Sequence, residues 1–275
     1  MPGTLYVVGT PIGNLEDISL RALRILREVD LIAAEDTRVT RKLLSHYDIH
    51  SPLTSYHQHS RGEKVDSLIN RLVSGQAVAL VSDAGTPGIS DPGADLIRRA
   101  LDAGVSVIPI PGPNAALAAL VASGLPTGRF AFEGFPPRTK TDRREFFLGL
   151  RDEQRTVILY ESAQRIAGTL ADLYSVIGDR PVALARELTK KFEDVYRGRL
   201  SGALDHCDVH KPRGEFTIVV GPPERSTETH VTDPRAALRS ALDTGASPRD
   251  AVQQVAAALN LPRRTVYRAM LELRR

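Results

Sequence analysis

The sequence predicts an α/β protein made of two α/β units followed by a small helical appendage. Three observations carry this expectation. Short apolar runs alternate with segments whose apolar residues recur at helical spacing. Three loops rich in Gly and Pro, at residues 9–14, 82–93 and 109–114, begin where apolar runs end. The chain has 275 residues, enough for two domains at roughly 100–200 residues each.

The elements follow in order. Residues 5–8, Leu-Tyr-Val-Val, read as a first strand, and Leu20, Leu23, Ile25 and Leu26 then recur as a helix. Residues 31–34 read as a second strand that runs into Glu35-Asp36-Thr37-Arg38, and 40–47 as a helix. A short extended piece lies at 53–56. A helix at 63–73 presents Val65, Leu68, Ile69 and Leu72 on one face. Residues 77–81 and 105–110 are strands with a helix at 93–103 between them. An Ala/Leu-rich helix at 114–123 closes on Gly124, a favoured residue just past a helix end. Strand–helix alternation of this kind builds a largely parallel sheet, which binds ligands beyond the carboxyl ends of its strands.

LPTGR at 125–129 marks an expected boundary, giving a first domain at 1–124 and a second at 125–223. The second has strands at 130–134, 156–161, 182–187, 193–199 and 215–220, and helices at 143–150 and 163–176. Its last three strands lack long intervening helices, which predicts a partly antiparallel sheet. Residues 224–275 read as a polar linker and a basic helical tail. In the tail Ser247 fits an N-cap, Pro248 the first helical position and Asp250 the third. Val252, Val255, Ala256 and Leu259 line one face, and a short turn leads to a last helix with Val266, Met270, Leu271 and Leu273. The pattern predicts a helix-turn-helix.

Composition narrows the function. The net charge is +3, and residues 226–275 carry it, with eight Arg against five Asp and Glu. The rest is neutral, so an anionic partner would meet the tail. A single Cys excludes an internal disulfide and a Cys-based zinc site, and fits a reducing cytoplasm. The first residues lack the basic segment of a secretory signal, and no apolar run reaches the length of a membrane span, so a soluble protein is expected. The chain has neither a P-loop nor a Gly-x-Gly-x-x-Gly after a strand. Prolines in the 9–14 loop remove amide donors, so these loops suit close backbone approach to a ligand of little anionic charge.

Seven segments then occur in order: VVGTPIGNLEDIS, VSDAGTPGISDPG, PIPGPNAALAAL, FEGFPP, YESAQRI, ARELTKKFEDVYRG and RGEFTIVVGP. They resemble the tetrapyrrole methylases, the class III S-adenosylmethionine-dependent methyltransferases, over about residues 1–222. AEDTR, SYHQH and YESAQRI further resemble one branch, the RsmI-type ribosomal RNA ribose methyltransferases, many of which carry a similar helical tail. The resemblance implies two α/β domains of tetrapyrrole-methylase type, a cleft between them holding S-adenosyl-L-methionine, and a homodimer. It also implies methyl transfer to a cytidine ribose 2′-oxygen in the decoding region of 16S rRNA, within the small ribosomal subunit.

Residue by residue, the resemblance implies that Asp83, Ala84 and Gly85 face the cofactor. The family often has Gly-Asp-Pro there; Ser82 and Ala84 depart from it in the manner of the RNA branch. Asp83 would hold the loop, meet the amino-acid end of the cofactor, or cap the 93–103 helix. Gly85 and Gly88 admit the backbone, and Ile89 lies against adenosine. Pro11 faces the cleft, and Pro111 and Gly112 form the turn below. Phe132, Glu133, Arg186, Glu187, Leu188, Gly214 and Glu215 match segments lining the adenine and ribose pocket.

Methyl transfer to a hydroxyl needs an aligned acceptor and either a general base or a charge-stabilising cation. Glu133, Glu187, Lys190, Asp36 and Glu35 are candidates, with Lys190 and Glu133 foremost. His57 and His59 lack the acidic partner of a metal site, so no metal is expected, and they read as RNA contacts or as orienting the AEDTR loop. Phosphate contacts are expected from Arg38, Arg41, Lys42, Arg138, Lys140, Arg143 and Arg144, and in the tail from Arg263, Arg264 and Arg268. Two rival readings stay open: a sister methyltransferase acting on a tetrapyrrole or other non-RNA substrate, and a non-catalytic nucleic-acid-binding protein.

Overall fold

Buried, β-branched and Ala-rich runs form the first sheet. A computed structural model describes residues 2–57, 62–209, 213–223, 233–259 and 261–273. Strands β1 (Thr4–Val8), β2 (Leu31–Ala34), β3 (Leu53–Ser55), β4 (Val78–Val81) and β5 (Ser106–Ile110) lie in the order β3-β2-β4-β1-β5. All their pairings are parallel. Every residue of β2 and β4 is buried, as expected where helices cover both faces. Ile32, Ala34, Ala79 and Val81 point into one core with helices α1 (Leu20–Glu28) and α2 (Thr37–His46). The intervening residues Leu31, Ala33, Val78 and Leu80 point into the other, with α3 (Gly62–Val73) and α4 (Ala94–Asp102).

Since β4, β1 and β5 are adjacent and parallel, the three ligand loops leave one sheet edge side by side. The helices start where side chains can satisfy their free amides: Ser19, Asp36 and Asn114 each accept a first-turn N–H.

The second sheet runs β6-β7-β10-β8-β9, from β6 (Phe130–Gly134), β7 (Thr156–Ser162), β8 (Pro181–Arg186), β9 (Asp194–Arg199) and β10 (Glu215–Val220). Only the β6–β7 pair is parallel, so the expected antiparallel portion is present. One expectation needs correction: α8 (Leu200–Val209) stands between β9 and β10 and buries Leu200, Ala203 and Cys207. It joins α6 (Lys140–Gly149) and α7 (Ile166–Ile177) on one face.

The other face is covered from the first half of the chain. Helix α5 (Ala115–Ser123) lays Ala116, Ala119 and Leu120 against Ile158, Ala183, Ala185 and Val219. These small residues let the helix lie close to the sheet. Met1–Pro223 forms one of two compact units. The other unit, Glu224–Arg275, contains α9 (Pro234–Asp243), α10 (Pro248–Ala258) and α11 (Arg263–Leu273). Its core is Leu238, Val252, Val255, Val266 and Met270 with two alanines, whereas Leu271, expected inside, is exposed.

Candidate active-site cleft

The loops after β1, β4 and β5 interlock before any ligand is considered. A Cβ added to Gly112 would stand 2.8 Å from the Gly9 carbonyl oxygen, so both positions require bare backbone. Thr10 exchanges backbone hydrogen bonds with Gly85 at 2.8 and 3.1 Å, and its hydroxyl donates to the Ser82 carbonyl at 3.0 Å. Gly85 itself has φ +84°, a conformation that favours glycine. Asp83 does not cap the 93–103 helix, as one expectation had it: its carboxylate accepts from the Asp36 amide at 2.9 Å. It thereby ties the β2 loop to the β4 loop. Gly93 starts α4 with no side-chain cap.

Above this floor a cleft of about 260 Å³ opens between the two sheets. The first half contributes Ile12, Ala84, Gly85, Ile89, Asp91 and Asn114. The second contributes Tyr160 and Glu161 at the end of β7, Ala185 on β8, the Glu187–Lys190 turn, and Glu215 on β10. Because β10 is antiparallel to β7 and β8, its start meets their ends at this edge. The turn is strained, with Glu187 at φ 51° and Thr189 at φ 66°, and such strain gathers at ligand sites. Gly13 fits against it, since a Cβ there would meet Leu188, Thr189 and Lys190.

Of the residues expected at the cofactor, Ala84, Gly85, Ile89, Glu187, Leu188 and Glu215 line the cleft. Asp83, Pro11, Pro111, Gly112, Arg186 and Gly214 stand outside its lining, as does Phe132, whose ring packs edge-on at 4.9 Å against Tyr160. Glu133 was expected to point in. Instead it is exposed, with Arg155 as an electrostatic neighbour, because strand alternation at Phe132 turns the next side chain away.

Lys190 does line the cleft, as a cation. Its ammonium donates to Glu187 at 2.9 Å and to Glu215 at 3.0 Å. Partial burial alone would lower its pKa, but the two carboxylates outweigh that and hold it above the ordinary lysine value. A lysine held protonated does not serve as a base. Glu35 and Asp83, behind the first wall, are both pushed up, first by burial and then by neighbouring carboxylates. Asp36 goes the other way, down to about 2, because Arg38 bonds it at 2.6 Å.

Sequence reading missed Asp91. Half-buried on the cleft wall, its carboxyl is raised to about 6 by desolvation and by Glu35, Asp83 and Glu215, partly offset by a Ser82 hydrogen bond. The available signal was a second Asp, in Ser90-Asp91-Pro92, within the same loop as Asp83.

The expected phosphate contacts divide. Arg38, Arg41, His57, Arg138, Lys140 and Arg144 are exposed, as are Arg263, Arg264 and Arg268 on α11. Arg143 is a correction: it is buried and donates to Asp172 at 2.5 and 3.0 Å, so it is an internal pair partner. His59 lies outside the described residues. Among the described residues no group of three His, Cys, Asp or Glu could hold a metal ion, and no helix is long and apolar enough to cross a membrane.

The family of Tetrapyrrole (Corrin/Porphyrin) Methylases matches residues 4–203, and the chain belongs to it. A second family, the RsmI C-terminal HTH domain, matches residues 228–274. Among solved structures, a diphthine synthase aligns at TM-score 0.62 and 19% identity, covering 80% of this chain and 90% of its own, a likeness of fold.

Nearly full-length relatives sharpen the class. A Synechocystis sp. protein called ribosomal RNA small subunit methyltransferase I is 46% identical over 98% of each chain. A Xylella fastidiosa protein of the same name is 46% identical over 97% of this chain and 98% of its own. The chain is a methyltransferase of that branch.

Proposed function

We propose that the protein transfers a methyl group from S-adenosylmethionine to 16S rRNA of the small ribosomal subunit, at a cytidine ribose 2′-oxygen in the decoding region. The observation that carries this reading is the likeness to the rRNA methyltransferase relatives over both units, the C-terminal one included. A tetrapyrrole-specific sister enzyme would lack reason to share that basic unit.

The cleft fits the cofactor's chemistry. Ile12, Ala84, Ile89, Ala185 and Leu188 offer an apolar wall for an adenosine. Asp91 and Glu215 on the walls offer negative charge to a sulfonium and an α-ammonium. When bound, the cofactor supplies a methyl already activated by its positive sulfur. The chain's own work is alignment: Thr10 holds the loop of Ala84 and Gly85, and Asp83 ties that loop to the one after β2. Lys190 adds a fixed cation. Arg38, Arg41, Arg138, Lys140 and Arg144 would meet phosphates around the cleft, with Arg263, Arg264 and Arg268 gripping RNA from the second unit. The target nucleotide would have to be splayed out of its helix to reach the cleft.

We also read the protein as cytoplasmic and dimeric. Leu117 and Val121, exposed on α5 at 50% and 78%, support a covered apolar helix face. The testing experiment is methyl transfer from labelled S-adenosylmethionine to small subunits lacking the modification, followed by nucleoside analysis. A labelled 2′-O-methylcytidine is expected. Label on a base, or on an added porphyrinoid alone, would overturn the reading.

A further inference from the structure

We infer that Asp91 is the general base that receives the proton of the acceptor hydroxyl. The inference rests on the proposed methyl transfer and adds the residue that this reading lacks. Six titratable side chains line the cleft: Asp91, Tyr160, Glu161, Glu187, Lys190 and Glu215. Five are already engaged. Glu161 accepts from Thr169 at 2.7 Å and from the Ser162 amide at 2.8 Å, and pairs with Arg165 at 3.0 Å. Glu187 and Glu215 hold Lys190, and Glu187 also accepts from the Glu215 amide at 3.1 Å. The Tyr160 hydroxyl accepts from the Ala116 amide at 3.1 Å, and burial raises its pKa, so it keeps its proton.

Asp91 differs in kind. Among the described residues no ion pair holds it; the neutral Ser82 hydroxyl is its polar neighbour, and the charges that face it from β2, β4 and β10 are the carboxylates of Glu35, Asp83 and Glu215, with the Tyr160 ring on β7. The backbone fixes where it sits. Ser90 before it has φ 59°, in the left-handed region, Pro92 follows, and Gly93 has φ 147°. A strained turn that presents one carboxylate to a cleft is the kind of feature that function retains. A carboxyl raised to about 6 is deprotonated at neutral pH, yet is a stronger base than an ordinary aspartate.

The step balances without a further reactant. An oxygen lone pair of the 2′-hydroxyl forms the new O–C bond as the S–C bond breaks, and that bonding pair stays on sulfur. The O–H proton passes to the Asp91 carboxylate and leaves to solvent after product release. The negative groups around Asp91 favour its taking the proton, and the same charge opposes loss of the positive sulfonium from the cleft.

The test compares wild type, Asp91→Asn and Asp91→Glu in single-turnover methylation of unmodified small subunits from pH 5 to 8, with cofactor affinity measured by calorimetry on the protein alone. Wild type should lose rate about tenfold per pH unit below the Asp91 pKa of the loaded enzyme, which the bound sulfonium lowers from its value in the free protein. At saturating cofactor Asp91→Asn should fall by about 10²–10⁴-fold and lose that acid limb, a loss beyond any change in cofactor affinity, and Asp91→Glu should recover part of the rate. If Asp91→Asn keeps its rate, or loses rate only in proportion to cofactor affinity, Asp91 is not the base; the second result assigns it to the α-ammonium. Should the Asn variant fail to fold, Asp91→Glu decides: an acid limb that moves with the substitution sustains the inference, and one that stays in place overturns it. Failure of wild type to label any cytidine ribose would instead sink the function itself.

Discussion

At the wall built by the first sheet, Glu35 and Asp83, behind it, both raise Asp91 on it, and Asp83 also raises Glu35. On the opposite wall each acid has a cation within 3.0 Å: Glu161 has Arg165, and Glu187 and Glu215 share Lys190. Deeper in the same half, Arg143 and Asp172 form a buried pair. Carboxylates gathered without matched cations cost stability unless something else supplies the positive charge. Paired carboxylates are finished architecture. The contrast teaches which wall is left incomplete for a cationic ligand and which holds the frame.

The largest expected effect tests the frame. Asp172→Ala leaves the Arg143 guanidinium buried without its carboxylate and should destabilise Met1–Pro223 by about 3–5 kcal/mol. Denaturant unfolding measures it. A loss under about 1 kcal/mol would mean that the pair is not structural and would break the contrast. Next comes the loop floor. Gly112→Ala drives a methyl into the Gly9 backbone and should cost about 1–3 kcal/mol and weaken cofactor binding. Gly128→Ala, where an added Cβ meets nothing within 4 Å, is the control and should be neutral.

A smaller effect sharpens the incomplete wall. Asp83 raises the Asp91 pKa through its charge. Asp83→Asn should therefore move the acid limb of the methylation profile to lower pH while leaving its shape. A limb that stays in place would show that the Asp83 charge does not set it.

Much of this could be read from the chain, and the failures share a cause. The strand runs at β2 and β4, the cap at Ser247, and Gly124 at a helix end were legible, because each is a local requirement. The loop that carries Asp83 was found by its Gly and Pro. Which of its two aspartates enters the cleft was not, because that depends on Thr10 clamping Gly85 from 75 residues away. Arg143 looked like a surface cation since its partner Asp172 lies a helix away. Helix α8 was passed over because its apolar positions are few, and the packing of α5 on the second sheet was not legible because its small face says nothing of which sheet it covers.

The smallest effect belongs to Lys190, and its pH dependence has two edges. Glu187 is held below its ordinary pKa: burial would raise it, but the Lys190 ammonium and the Glu215 amide prevail. Its contribution is complete above the unfolded value, about 4.3, and is lost as pH falls through the folded one. Lys190 is held above its ordinary value, so its share is complete below about 10.4 and lost as pH rises through the folded pKa. Both shares are present at neutral pH. The side chains are 31% and 24% exposed, and Glu215 is 78% exposed, so solvent screens the cluster. Lys190→Met should cost at most about 1 kcal/mol at pH 7. The deficit relative to wild type should shrink as pH falls through the folded Glu187 pKa, which lies below the ordinary value. Unfolding free energies across that range measure it. A deficit as large as that of Asp172→Ala, and unchanged in acid, would place Lys190 in the frame through packing rather than charge.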